Sequence, residues 1–304
     1  MRMKNVNQSV GLQKLCDLFG KTRQAFYDAN WHTEDRIMQY DIILGYVYEL
    51  RKPPFEKLGT EKLLSMLEKP LSQHNIKIGR DRLFDLLAAH GLLIRRRRKR
   101  KYTTDSNHLF RKYPYLIKDL IPEGPNEIWV ADITYIRLNS GFAYLSIVTD
   151  VYSRKIMGYC LWKTLESLGP LNALKMAIKT SRKRYSELIH HSDRGIQYCC
   201  NEYVKCLELN KILISMTDKG SPHQNAIAER VNGILKVELG LEKTFRTFEE
   251  AASSVDNVID AYNNIRPHSS CNYLTPNEAY KHEGKLEKKW KQYFKIAPTV
   301  LKDE

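Results

Sequence analysis

Three runs rich in β-branched and aromatic residues, 127–138, 142–149 and 155–162, follow one another with only short turns between them. Connections this short join neighbouring strands antiparallel, so the runs predict a three-stranded meander. The pattern then changes period. A helix is expected over about 169–184, a strand over 188–192, a helix over 201–210, a strand over 212–216 and a helix after Pro222. The order βββαβαβα makes this region α/β.

Asp132 stands in the middle of the first run, Glu127-Ile128-Trp129-Val130-Ala131-Asp132-Ile133-Thr134-Tyr135-Ile136. Aspartate is disfavoured in strands and costly to bury unpaired. A divalent cation is the usual compensation. Asp193 closes the apolar run Leu188-Ile189-His190-His191-Ser192 and precedes Gly195, the strand-end position where side chains face a cleft. Glu229 lies on the helix after Pro222. At 3.6 residues per turn Asn225, Glu229, Asn232 and Lys236 share one face, and Ile227, Val231, Ile234 and Leu235 the other. Asp150, ending the second run before Tyr152-Ser153, is a competing ligand that reads more simply as a turn residue.

Thirty-five residues separate Asp193 from Glu229. This spacing resembles the D,D(35)E signature of retroviral integrases and related transposases. Four segments narrow it: Trp129-Val130-Ala131-Asp132-Ile133-Thr134-Tyr135, His191-Ser192-Asp193-Arg194-Gly195-Ile196-Gln197-Tyr198, Ala228-Glu229-Arg230 and Tyr262-Asn263-Asn264-Ile265-Arg266-Pro267-His268. Together they resemble the OrfB-type transposases of bacterial insertion sequences, family three, over nearly the whole chain. The resemblance implies a ribonuclease-H-like core, a mixed five-stranded sheet with helices, preceded by an all-α helix-turn-helix region. It implies catalysis by Asp132, Asp193 and Glu229 on two Mg²⁺ ions, with Mn²⁺ as a substitute and Asp132 bridging. It also implies cleavage and strand transfer at element ends through a circular intermediate, on double-stranded DNA bearing terminal inverted repeats and on target DNA. A homo-oligomer on DNA and an upstream-frame (OrfA) protein or fusion are the partners it implies. A DNA-binding regulator with an inert core is the alternative function.

The formal charge is +14, and it is uneven: residues 1–101 hold 21 Lys and Arg against 11 Asp and Glu, whereas 102–304 hold 28 against 24. Such a basic front suits a polyanion. Leu12 to Tyr27 reads as a helix-turn-helix, with Gly20 in the turn and Thr22 capping a helix that carries Arg23 and Gln24. Asp35–Leu50 reads as a separate helix, and 60–94 as a second helix-turn-helix with Thr60 as a cap and Gly91 as a stop. Arg95-Arg96-Arg97-Arg98-Lys99-Arg100-Lys101 follows, a self-repelling extended arm suited to phosphates. These residues, with Arg23, Gln24, Asn225 and Lys236, are the candidate DNA contacts. The expected domains are a DNA-binding region 1–101, a connector 102–125, a catalytic core 126–270 and a C-terminal tail 271–304. Within the core, Thr247-Phe248-Glu249-Glu250 reads as a capping box.

Rival chemistries fare worse. His191-Ser192-Asp193-Arg194 spells the H-x-x-R of tyrosine recombinases, but it follows a strand, and after Tyr203 no tyrosine occurs until Tyr262. His190 and His191 have no cysteine at zinc spacing. The six cysteines form no CxxC pair, no apolar run approaches a membrane span, and the start lacks a signal h-region. A bacterial cytoplasmic, nucleoid-associated location with no membrane contact is the expectation.

Overall fold

Residues 12–94, 110–181, 187–218, 221–282 and 284–286 are described by the computed structural model, apart from the side chains of 28–35 and 222–223. The basic run Arg95–Lys101 lies outside them. The chain divides into two compact units, one drawn from residues up to Leu50 and from Met66–Leu93, the other from Arg51–Ser65 and from Ile94 onward.

The first unit is helical. Helix α1 (Leu12–Leu18) ends at Gly20, whose φ of +63° suits a residue without a side chain. Thr22 Oγ1 accepts from the Ala25 amide and starts α2. The expected break before Asp35 is absent, and α2 runs unbroken over Arg23–Leu50. Nothing between Arg23 and Leu50 is Pro or Gly except Gly45, which a helix tolerates at about 1 kcal/mol, so the polar stretch 28–35 costs too little to end it. Of the helix-spaced apolar residues Leu12, Leu15, Cys16 and Phe19, only Cys16 is buried. Helix α3 (Thr60–Ser72), which belongs to the second unit up to Ser65 and to the first from Met66, includes Thr60 rather than being capped by it, and continues through Pro70. Helix α4 (Arg80–Ala89) ends at Gly91, with the Leu92 amide bonded to the Leu87 carbonyl.

The second unit is built on a mixed sheet. Strands β1 (Ile128–Leu138), β2 (Gly141–Asp150) and β3 (Ile156–Trp162) form the expected meander. Helix α5 (Leu168–Thr180) crosses to β4 (Ile189–Ser192), which pairs parallel with β1. After a short α6 (Ile196–Cys199) and α7 (Asn201–Leu209), β5 (Leu213–Met216) joins β4. The strand order is β3-β2-β1-β4-β5, and a two-residue β6 (Thr244–Phe245) pairs with the far end of β1. This five-stranded core is ribonuclease-H-like. Trp129, Ala131, Leu174, Tyr203 and Leu207 pack on the sheet face covered by α5 and α7. Ile128, Val130, Val151 and Ala228 pack on the other. There a 3-10 turn (Pro222–Asn225) leads into α8 (Ala226–Gly233), which runs on as a π-turn over Ile234–Glu238. Helix α9 (Phe248–Asn264) buries Ala251, Val255, Val258, Ile259 and Tyr262, while Phe248 and Ala252 are only partly buried.

Thr247 accepts from the Glu250 amide, but Glu250 reaches back to the Arg246 amide, so the capping box is only half formed. The complete box is at Thr275–Glu278, heading α10 (Pro276–Ala279). The segments on either side of the core are packed. Pro114 accepts from the Met216 amide on the outer edge of β5, and the Leu116 amide donates to Ser215 Oγ. Cys271 and Ala279 are fully buried, and Tyr280 Oη accepts from Asn126 Nδ2. At the opposite edge, the Asn263 side chain takes the Ile156 N–H and donates to its C=O, both at 3.0 Å.

α5 lies so close to β3 that Gly158 has no room for a methyl group. A Cβ there would meet the Ala173 carbonyl at 2.1 Å and the Ala177 amide at 2.5 Å. Both are helix backbone and cannot rotate aside. Gly158→Ala should therefore destabilise by about 3 kcal/mol. Urea denaturation checks this, and a change below about 1 kcal/mol contradicts it.

Candidate active site

Strand register brings together two acids distant in sequence. Parallel β1 and β4 place Val130 opposite His191. Asp132 and Asp193 follow two residues later on each chain, so they leave the same sheet face. α8 lies on that face. Asn225 Nδ2 donates to the Ala131 carbonyl at 3.0 Å, and Asn232 Nδ2 donates to Asp132 Oδ2 at 2.8 Å. Glu229, between these two anchors, is exposed. The Ile133 amide donates to Asp132 Oδ1, and the Gly195 amide to Asp193 Oδ1.

The electrostatics tie the trio together. Burial first, then the Asp193 carboxylate and more weakly Glu229, push Asp132 up to about 7 against the pull of Asn232 and the Ile133 amide. Charge crowding of this kind suits a bound divalent cation. Three carboxylates with hard oxygens are the donor set Mg²⁺ or Mn²⁺ takes. Among the described residues no group of three or more Asp, Glu, His or Cys stands close enough together to hold a metal ion.

Other sequence candidates take different places. Asp150 is fully buried and accepts from the Asn126 amide and from the Ser153 amide and hydroxyl, so it is the turn residue and not a ligand. Asn225 is buried with its amide group turned to β1; it fastens α8 beside Asp132 instead of facing outward toward DNA. Lys236 is half-buried within the π-turn. The wider turn takes it off the α-helical line that would set it directly two turns beyond Glu229. Arg23 and Gln24 are exposed in the first turn of α2, in the other unit.

His190 and His191 are structural. His190 Nε2 shares a 2.9 Å hydrogen bond with Tyr203 Oη, and His191 Nδ1 another with Ser215 Oγ. Burial pushes them down to about 3 and about 4, so both rings are neutral. The sequence put Asn232 on the Glu229 face without giving it a role. Its spacing of three from Glu229 was the available signal.

The integrase core domain models match residues 122–222 and 210–276. The 31 kDa protein of insertion element IS600 from Shigella sonnei is 34% identical over 267 residues, covering 86% of this chain and 96% of that one. The transposase of IS986/IS6110 from Mycobacterium tuberculosis (strain H37Rv) is 32% identical over 214 residues, 68% of this chain and 77% of that one. The chain belongs to the insertion-sequence transposases. Transposase InsF of IS3A from Escherichia coli K12, 37% identical over 164 residues, 54% of this chain and 57% of that one, agrees with the family-three branch. The transposase is a DDE polynucleotidyl transferase, and these names favour that activity over a regulator with an inert core. Among its described residues no helix is long and apolar enough to cross a membrane.

Proposed function

We propose that Asp132, Asp193 and Glu229 would together hold the Mg²⁺ ions, and that this site first hydrolyses a phosphodiester at the element end, after which the freed 3′-hydroxyl attacks a phosphodiester of another strand and displaces that strand's own 3′-oxygen. When bound, the ions would supply Lewis-acid activation of the attacking oxygen and stabilisation of the leaving one. The protein's own part is placement. Asn232 and the Ile133 amide fix the Asp132 carboxylate, the Gly195 amide fixes Asp193, and Asn225 holds α8 against β1. The observation that carries the reading is the β1–β4 register, which sets Asp132 and Asp193 on the sheet face where Asn232 of α8 holds the Asp132 carboxylate. Asp193→Asn and Glu229→Gln should each abolish Mg²⁺-dependent cleavage and joining of a duplex ending in the element's terminal repeat, while retaining binding in a gel-shift assay. Wild-type joining by either variant removes that residue from the site.

The DNA surface extends beyond the acids in this proposal. Lys236 holds a phosphate of the element end, Arg23 and Gln24 contact DNA from the helical unit, and the run Arg95–Lys101 neutralises backbone phosphates. Substrates are double-stranded terminal inverted repeats and target DNA, engaged by a homo-oligomer, with an upstream-frame protein or fusion as a further partner and a circular DNA intermediate. Neutralising Arg95–Lys101 should weaken binding with little dependence on sequence, and flatten the log–log salt slope by about 0.9 for each phosphate that the run no longer neutralises. An unchanged slope in a salt titration means that the run is a linker only.

A further inference from the structure

Glu238 ends the π-turn on the apolar side of the helix, after Val231, Ile234 and Leu235. Its side chain is 13% exposed. A carboxylate in that position is stable only when paired. Arg266, itself 2% exposed, forks onto it through Nε to Oε1 at 3.0 Å and Nη2 to Oε2 at 2.9 Å. Arg266 Nη1 donates to His268 Nε2 at 2.7 Å and to the Pro267 carbonyl at 3.3 Å. Lys62 Nζ, from the segment Arg51–Ser65 of the same unit, lies 3.4 Å from Glu238 Oε1. Burial pushes the Glu238 carboxyl up, but Arg266 and Lys62 outweigh it and hold the group below its ordinary range.

This grip falls where the helix geometry changes. The Leu239 amide bonds to the Ile234 carbonyl, Leu241 to Leu235 and Glu242 to Lys236, spans of five and six residues in place of four. Such widened turns are less regular than α-helix and recur at functional sites. Lys236 sits inside this one, seven residues after Glu229. We propose that Arg266 is a positioning residue: by clamping Glu238 it holds the π-turn in register and so sets where the Lys236 ammonium projects relative to the acid trio. The proposal rests on the reading of Lys236 as a contact to the element end. A planar fork on a carboxylate fixes distance and orientation together, which apolar packing does not. Ion pairs retained in a core for register rather than stability are known behaviour.

The test separates register from stability. Lys62→Met, Glu238→Met and Arg266→Met combined replace the buried charges by apolar side chains of similar length. The full-length variant should melt within a few degrees of wild type. Its KM for a pre-cleaved duplex carrying the element's terminal repeat should rise about ten-fold, with a smaller change in kcat. Combined with Lys236→Ala it should lose less than about two-fold beyond Lys236→Ala alone, since both changes remove the same phosphate interaction. Arg266→Lys, which keeps the charge and loses the fork, gives a second readout and should raise KM in the same direction. A triple variant with wild-type melting and wild-type KM overturns the clamp, as does an unchanged KM in Arg266→Lys or a loss that multiplies with Lys236→Ala. Wild-type KM in Lys236→Ala alone instead removes the reading of Lys236 on which the clamp depends.

Discussion

Asp132→Asn should abolish strand cleavage and joining and, at the same time, raise the melting temperature of the metal-free protein at pH 8. The first effect follows from the loss of the charge that would bridge two cations. The second follows from burial and the crowding of three carboxylates, which push Asp132 up to about 7 in the folded chain, against 3.8 ordinarily. Between these values the folded state binds a proton that the unfolded state has released. The stabilisation is therefore complete below about pH 3.8 and is lost as pH rises through about 7, with a slope of at most about 1.4 kcal/mol per pH unit. Asparagine does not ionise; its oxygen can stay toward Asn232, and its NH2 then forfeits the Ile133 amide bond, a cost smaller than that of the crowded carboxylate. Metal-free wild type should thus lose melting temperature relative to Asp132→Asn between pH 5 and pH 8, and Mg²⁺ or Mn²⁺ should restore it only in the wild type. Differential scanning fluorimetry with and without chelator makes the comparison. Parallel pH profiles for the two proteins would dismiss the account.

Arg266→Met alone should destabilise the chain by about 3–5 kcal/mol. The substitution leaves Glu238 in its 13%-exposed position with Lys62 as its remaining partner, at 3.4 Å. It also strips His268 Nε2 and the Pro267 carbonyl of their donor. Partial relief should come from Glu238→Met in the same chain, because the stranded carboxylate, not the missing guanidinium, dominates the loss. Urea midpoints for the single and double variants decide it. A single variant within 1 kcal/mol of wild type, or a double variant less stable than the single, contradicts this account.

The meander, the crossover order and the strand positions of Asp132 and Asp193 were legible because they rest on local signals. Alternating β-branched residues, turn residues between them and an acid in an apolar strand each survive folding unchanged. What eluded sequence reading depends on partners distant in the chain. The continuity of α2 through residue 35 reflects only the absence of a breaker, which periodicity reads as a gap when polar residues cluster. Thr247 and Thr275 both precede a glutamate by three, yet only the second closes the reciprocal box, since Glu250 finds the Arg246 amide first. The face shared by Asn225, Glu229, Asn232 and Lys236 assumed an unbroken α-helix. It held as far as Asn232, which reaches Asp132, and stopped at the π-turn, where Glu238 meets Arg266, twenty-eight residues further on. Asn225 looked outward by periodicity, but the 3-10 turn before α8 rotates it onto β1.

The two outer strands also bear on how copies of this transposase can assemble. At Ile156 the Asn263 side chain satisfies both backbone groups on the free side of β3, and at Met216 the Pro114 carbonyl does so for the amide on the free side of β5. A neighbouring protomer arriving edge-on finds those positions already saturated, so continuous intermolecular β-pairing is blocked there. Any assembly of copies is thereby left to helices, loops or bound DNA, and the core can reach high local concentration without being templated into a fibre.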